Sequence, residues 1–372
     1  MYPGQEDPIA EALLKGASGA VDEAACLLDV LNRSVPGADA AQSCLTAARH
    51  LALGEYEQGI ELMLPALREL ESLGYAGELC WAYASLGFAF GALGDPSFGL
   101  GWVDKAIIVA ERSKDSSQLR RCYNDKASLL SMLDEYEAAR GYYERALSQE
   151  AQGMGELERG GILNNLAYSA LHDARRGDLP SGSAVELASR ALGYANEALV
   201  LFDRCDHSCF RGWVHYNRGS ALTLLGNYPA ALAELDQALS LAQGRSSLRV
   251  EVLVSLGRLQ CDMGQYDDAR LSLDEALRLC DAEEFSLFKD SALASLARLS
   301  AMQGAAEETL KWSELRVRNA TAKYRRHLRL MERNTEVIIE LERARIEAAE
   351  AQRRSRRSEE RRVGKECSSR WS

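Results

Sequence analysis

No apolar stretch in this sequence approaches the roughly 20 residues needed to cross a bilayer. The opening residues, Met1 to Asp7, are acidic where a secretory leader would be basic. A membrane-bound or exported protein is therefore not expected, and a cytoplasmic location is. Proline is scarce, with 7 in 372 residues beside 47% hydrophobic and 27% charged residues, which excludes a disordered chain and suits a soluble helical one. There is no Gly-rich phosphate loop, no zinc-protease histidine pair on a helix and no elbow serine. Carboxylates are plentiful, but they decorate helix faces and no pair is singled out, so neither a catalytic residue nor a cofactor is expected.

What is present divides unevenly by charge. Residues 316–356 carry twelve Lys/Arg against six Glu, and the last sixteen residues five basic against three acidic, so residues 1–315 hold a net charge near -19 within a chain of -11. A body this acidic repels nucleic acid and anionic membrane, and neither is expected as a partner. The nine cysteines are scattered singly, mostly at apolar helical positions such as Cys26, Cys80, Cys261 and Cys280. That usage fits buried free thiols in a reducing compartment and implies no disulfide framework.

The chain is longer than a single core usually grows, roughly 250 to 300 residues, and internal repetition accounts for the excess. A turn followed by tyrosine recurs at Gly54-Glu-Tyr56, Asp134-Glu-Tyr136, Gly226-Asn-Tyr228 and Gly264-Gln-Tyr266, with degenerate members at Gly94-Asp-Pro96 and Gly304-Ala-Ala306. Twelve residues after all but the last stands Ala66-Leu67, Ala106-Ile107, Ala146-Leu147, Ala238-Leu239 or Ala276-Leu277. The turns are spaced 40, 40, 92, 38 and 40 residues apart, and the long interval holds one more repeat, ending at Ala198-Leu199 and swollen by Arg175 to Ser183. A small residue (Gly87, Ala127, Ala167, Gly219, Gly257 or Ala297) precedes each turn or its expected site by seven positions, which lets two helices approach closely. The turn glycine adopts a backbone shape that strains other residues.

Residues 225–239, Leu-Gly-Asn-Tyr-x-x-Ala-x-x-x-x-x-x-Ala-Leu, resemble a tetratricopeptide motif; Gly59 and Gly99 stand where the first two units depart from it. The resemblance implies an all-α fold, a right-handed solenoid of about seven tetratricopeptide-like helical hairpins followed by a long C-terminal helix. The expected organisation is capping helices over 1–39, the solenoid over 40–317, a helical coiled-coil linker over 318–356 and a non-native tail over 357–372. It also implies a concave surface, lined by the first helix of each hairpin, that holds a protein or peptide ligand. Projecting the repeats onto that surface gives one row of Asn124, Asn164, Tyr216, Val254 and Ala294 and a second of Ser128, Tyr168, Ser220, Arg258 and Arg298. Asparagines bond an extended peptide's backbone and arginines take a carboxylate, so Asn124, Asn164, Tyr168, Tyr216, Arg258 and Arg298 are the candidate groove residues. The alternative is solvated helix surface or hydrogen bonding between repeats.

Cys205-Asp-His207-Ser-Cys209, with His215 nearby, has spacing that zinc admits but lacks a second pair. A loop between repeats with packed thiols is the expected reading, and no metal is assigned. Neither Gly nor Pro interrupts residues 307–356; a continuous helix there would extend about 75 Å at 1.5 Å per residue. Leu328, Met331, Thr335 and Ile338 follow heptad spacing, from which a parallel coiled coil and a homodimer through 324–352 are expected, the alternative being a single solvated charged helix. Arg357 to Cys367 resemble the translated read-through of a sequencing adapter, from which a cut reading frame and a missing following domain are expected. An acidic repeat region leading into Glu340-Leu-Glu-Arg-Ala-Arg-Ile-Glu-Ala-Ala-Glu-Ala-Gln-Arg-Arg354 is similar to the N-terminal half of bacterial, especially actinobacterial, diguanylate cyclases with a GGDEF domain. That resemblance implies a sensory region for a cyclase whose catalytic residues this chain does not contain. The alternatives are a repeat adaptor, a transcription-regulator or peptide-receptor module, and the sensor region of a histidine kinase.

Overall fold

A computed structural model describes residues 36–325 apart from 54, 150–153, 176–181, 206–209, 243–245 and 283–285, together with scattered helical positions between 328 and 354. All regular structure among them is helical. The helices are α1 (Ala38–Ala52), α2 (Tyr56–Leu73), α3 (Cys80–Ala92), α4 (Pro96–Ser113), α5 (Ser116–Met132), α6 (Tyr136–Ser148) and α7 (Glu156–Ala174). They continue as α8 (Ser183–Arg204), α9 (Arg211–Leu224), α10 (Tyr228–Leu241), α11 (Ser246–Asp262), α12 (Tyr266–Ala282) and α13 (Ser286–Met302), followed by α14 over 306–325. Each odd helix pairs with the even helix after it, giving seven antiparallel hairpins in sequential order. No helix among the described residues is long and apolar enough to cross a membrane. The expected cap lies outside the described residues up to 35, as do most of the 324–352 coiled-coil segment and the tail 357–372. α14 runs unbroken through position 317, where the sequence reading ended the solenoid.

The turn that closes a hairpin is the same physical object each time. A residue in the left-handed region follows the odd helix: Gly94, Gly226, Gly264 and Gly304, with Asp134 taking the place of glycine at φ 62°. The next residue's N–H reaches back to a carbonyl five positions earlier, as in Asp95 to Phe90 (2.9 Å), Glu135 to Leu130 (3.0 Å), Asn227 to Leu222 (2.9 Å), Gln265 to Gln260 (2.8 Å) and Ala305 to Ser300 (2.9 Å). This bond satisfies a helix-terminal carbonyl that would otherwise be orphaned, and it turns the chain sharply enough for the even helix to fold back. The corresponding segment between α7 and α8, 176–181, lies outside the described residues.

Close packing of the two helices depends on the small residues. A Cβ on Gly87 would meet Val103 Cγ2 at 2.4 Å and the Gly99 carbonyl oxygen at 2.8 Å, and one on Gly99 would lie 2.3 Å from the Gly87 carbonyl oxygen. The repeat-marking alanines Ala106, Ala146, Ala198, Ala238 and Ala276, and the alanines three residues after a turn tyrosine, Ala139, Ala231 and Ala269, are all fully buried.

Curvature follows from which helices touch between hairpins. Every odd helix contacts the next odd helix from α1 to α13, and no comparable contact joins successive even helices. Odd helices therefore line the inner wall. Polar ties lock the stack: buried Arg120 on α5 donates twice to Glu158 on α7, at 2.9 and 3.0 Å, and Arg270 on α12 donates to Glu308 on α14 at 2.8 Å.

The glycine contacts set a contrast within one helix. Gly99→Ala is expected to destabilise the array by roughly 1–3 kcal/mol, because its methyl group has no room. Gly101→Ala, exposed with nothing within 4 Å of the added carbon, should stabilise by about 0.5–1 kcal/mol through helix propensity. Thermal unfolding followed by circular dichroism at 222 nm distinguishes the two signs.

Candidate functional site on the inner wall

The inner wall encloses a cavity of about 810 Å³ lined by α5, α6, α7, α9, α11, α13 and α14. Ser128 and Met132 of the third hairpin share this cavity with Arg316 and Lys323 of the last helix, so the array winds far enough for its end to face its middle. One side is an aromatic ladder. Tyr136 stacks on His172 with centroids 5.3 Å apart, His172 on Tyr168 at 4.2 Å, Tyr168 lies 6.4 Å from Tyr216, and Trp213 meets Tyr216 edge-on at 5.9 Å.

Beneath the ladder is a buried polar network. Glu251, 5% exposed, accepts from the Tyr168 hydroxyl at 3.2 Å and the Tyr216 hydroxyl at 3.0 Å. Arg175 lies within hydrogen-bonding reach of that Tyr216 hydroxyl. A carboxylate buried at this depth needs such donors, because taking the ion out of water without them is prohibitive.

A smaller cavity of about 440 Å³ opens beside the first and shares His172 and Ser291 with it. Three arginines line it: Arg175 at the end of α7, Arg258 on α11 and Arg298 on α13. Arg298 donates to Asp262 at 2.6 Å and Arg258 Nε to the Ser295 hydroxyl at 2.9 Å. Burial and then the facing Arg175 charge pull Arg258 down to about 10. With Asp262 and the tyrosine-bonded Glu251 as the nearby anions, the three guanidinium groups leave one positive charge in surplus, and Ser220, Thr223 and Ser255 add hydroxyls to the same wall. The pocket can hold an anionic group by charge-assisted, forked hydrogen bonds.

His172 joins the two cavities. Tyr136 gives its one proton to Asp134 at 2.7 Å, so across the 3.4 Å contact with Tyr136 it is the imidazole Nδ1–H that donates. Nε2 is thereby an acceptor, buried and without a partner among the described residues.

Four of the six groove candidates meet here: Tyr168 on the large cavity, Tyr216 fully buried behind it, and Arg258 and Arg298 on the small one. Asn164 is elsewhere. It is 7% exposed and accepts from buried Asn217 through its backbone oxygen at 3.1 Å and its side-chain oxygen at 2.9 Å, tying α7 to α9. Asn124 donates weakly to Asp125 (3.4 Å) and accepts from Asn165 (3.4 Å). Sequence projection missed Glu251, His172 and Arg175: the first two are off the chosen rows, and Arg175 opens the insertion that breaks the period. Cys205 is half-buried and its thiol donates to the Leu201 carbonyl at 2.8 Å. His207 and Cys209 lie outside the described residues, among which no three His, Cys, Asp or Glu side chains are grouped to hold a metal.

The family model described as tetratricopeptide repeat matches residues 210–282, the hairpins α9–α10 and α11–α12. The repeats of those two hairpins are of the tetratricopeptide kind. Tetratricopeptide repeat protein 36 of Danio rerio is 27% identical over 117 residues, 32% of this chain; the match spans 54% of that relative's length. Among solved structures, a Rap protein complexed with competence and sporulation factor superposes with a TM-score of 0.60 at 13% identity, over 84% of this chain and 82% of that one. The apo form of the quorum sensor NprR from B. thuringiensis gives 0.60 at 14%, over 82% of each chain, and the apo form of RapI 0.58 at 14%, over 77% of this chain and 98% of that one. At these identities the likeness is one of fold.

Tyr216→Phe is expected to cost roughly 1–3 kcal/mol by stripping a donor from buried Glu251, and Tyr168→Phe less, since Glu251 Oε1 then faces a cavity; urea unfolding measures both. His172 is held well below its ordinary 6.5 by burial and then by the Arg175 and Arg258 charges. Below that value the unfolded chain binds a proton that the folded array refuses, so its contribution is complete above 6.5 and is lost as the pH falls. His172→Gln should flatten the fall in stability between about pH 6.5 and pH 5, again read by urea unfolding.

Proposed function

We propose that this tetratricopeptide array is a receptor for a polypeptide segment lying along its inner wall, with an anionic group of that segment seated among Arg175, Arg258 and Arg298. The convergence of three arginines on one cavity, with a positive charge in surplus, carries this reading. The aromatic ladder beside it supplies apolar area for neighbouring side chains, and His172 Nε2 an acceptor for a backbone N–H. The fold shared with a Rap protein complexed with competence and sporulation factor and with the quorum sensor NprR supports a role in signalling.

Occupancy has a direct route to the C-terminal segment. Arg316, Val317 and Lys323 of α14 line the large cavity, so a ligand that touches them and α5 together draws the end of the array toward its middle. A ligand shifts such an equilibrium only by its differential contacts with the two shapes, and α14 is where those contacts lie. A cyclase as the output rests only on the resemblance of the repeat region and the helical segment after it, so the receptor reading stands ahead of it.

The test uses an N-acetylated random hexapeptide pool passed over the immobilised full chain, with retained peptides quantified by mass spectrometry. Wild type should retain a subset enriched in acidic residues or dependent on the free terminal carboxylate. Arg258→Ala should lower that retention at least tenfold, on the order of 1.5–3 kcal/mol for a charge-assisted bond. Equal retention by the variant would remove the arginine pocket from the account.

A further inference from the structure

A second region of the inner wall, separate from the arginine pocket, has complementary chemistry. Between α1, α3 and α5 lies a cavity of about 610 Å³ whose walls include Tyr56, Trp81, Phe88, Gln118, Arg121 and Asp125. Three aromatic rings bound it: Tyr56 and Phe88 meet edge-on with centroids 6.3 Å apart, and Phe88 is 42% exposed. Two buried polar atoms on the same walls, Trp81 Nε1 and Gln118 Oε1, have no partner among the described residues. The orientation of Gln118 is set, because its Nε2 donates to Asp115 at 2.9 Å and only its oxygen is left over. Asp125, half-buried, receives a single long bond of 3.4 Å from the Asn124 amide.

One acceptor without a donor, Gln118 Oε1, and a carboxylate with a single long bond, Asp125, stand beside aromatic faces and describe what is missing, while the Trp81 N–H is left for an acceptor elsewhere on the same ligand. An ammonium brings three N–H donors and a guanidinium five, and either is drawn to the negative faces of aromatic rings. We propose that this cavity binds an organic cation, the ammonium or guanidinium group of a lysine- or arginine-type side chain, with its charge against Asp125 and Gln118 Oε1 and its stem among Tyr56, Trp81 and Phe88. The proposal goes beyond the receptor reading and does not depend on the arginine pocket. A metal ion is not the reading these donors favour: Cys80 and Cys122 flank the site, but the hydrogen bond between them and then burial push the Cys122 thiol up. No group of three metal-capable side chains exists there among the described residues.

The state of Asp125 agrees with an incomplete site. Burial raises its carboxyl to about 7, against the opposing Asn124 bond and Arg121 charge. The groups facing it are Arg121 and Cys122 on α5, Cys80 on α3, Tyr56 on α2 and Tyr143 on α6; α1 contributes only Ala48, Leu51 and Ala52. Arg121 is exposed and has other interactions, and it leaves the carboxylate short of compensation. A bound cation supplies the rest, and the strongly acidic body attracts it from a distance.

The experiment titrates the full chain with N-acetyl-lysine N-methylamide and N-acetyl-arginine N-methylamide, with the norleucine and glutamate analogues as neutral and anionic controls, followed by calorimetry. At about pH 8 the lysine or arginine probe should bind at least tenfold more tightly than norleucine, and the stronger arm identifies the head group. That preference should weaken about tenfold by pH 6, as Asp125 takes up its proton, and vanish in Asp125→Asn. Norleucine or glutamate binding as tightly, or an unchanged preference in Asp125→Asn, overturns the proposal. The wild-type comparison and its pH dependence decide the matter even if the variant fails to fold, and a null result leaves the arginine-pocket reading standing.

Discussion

The close crossing of the two helices in each hairpin, at a residue too small to keep them apart, is the constraint on which the structure depends. Added carbons on Gly219 and Gly257 would strike the Leu235 and Leu273 side chains, so the partner leucine occupies the space a side chain would have taken. With that contact and the left-handed turn recurring, the hairpins acquire similar shapes. A stack of similar hairpins whose odd helices touch while its even helices do not must curve toward the odd side. The inner wall is thus a product of glycine and alanine placement in a layer that no ligand reaches.

Curvature also explains why an acidic array has charged groups buried within it. Side chains on the odd helices face a narrowing space in which water is progressively excluded, and those with polar ends must find one another. Glu251 is held by two tyrosines, and Asn217 by the Asn164 backbone and side chain. These bonds join α7, α9 and α11, so they set the relative positions of three hairpins as well as satisfying buried groups. Where the bonding is incomplete, at Arg258, His172 and Asp125, the wall faces a cavity. Paired and unpaired polar groups are therefore carried by the same surface and differ only in whether another side chain is in reach.

The arginine pocket and the acid–aromatic cavity lie at different points along the curve, the former among hairpins four to seven and the latter among hairpins one to three. An extended polypeptide crossing both would meet opposite charges at its two ends, which would set its direction as well as its affinity. Closure of the large cavity by α14 adds a mechanical element, since the helix that continues toward the C-terminal segment is itself part of the lining.

Helical hairpins, their number and their turns were legible in the sequence because they are local: a left-handed turn residue, a tyrosine two positions on and an alanine ten beyond that act within one hairpin. The rows of the inner wall were partly legible, since a helix position projects to the same face in every repeat, and Tyr168, Tyr216, Arg258 and Arg298 were reached in that way. Projection failed at Asn164, which points along the stack to Asn217 instead of into the groove. It also could not find Arg175, which enters the pocket from an insertion with no counterpart in the other repeats. Sequence by itself determined the repeating unit, because each unit is built from contacts within about 40 residues. Only tertiary structure decided which polar groups are paired and which are left facing a cavity, because that depends on how far each hairpin rotates against the next, a sum over buried contacts that no single repeat contains.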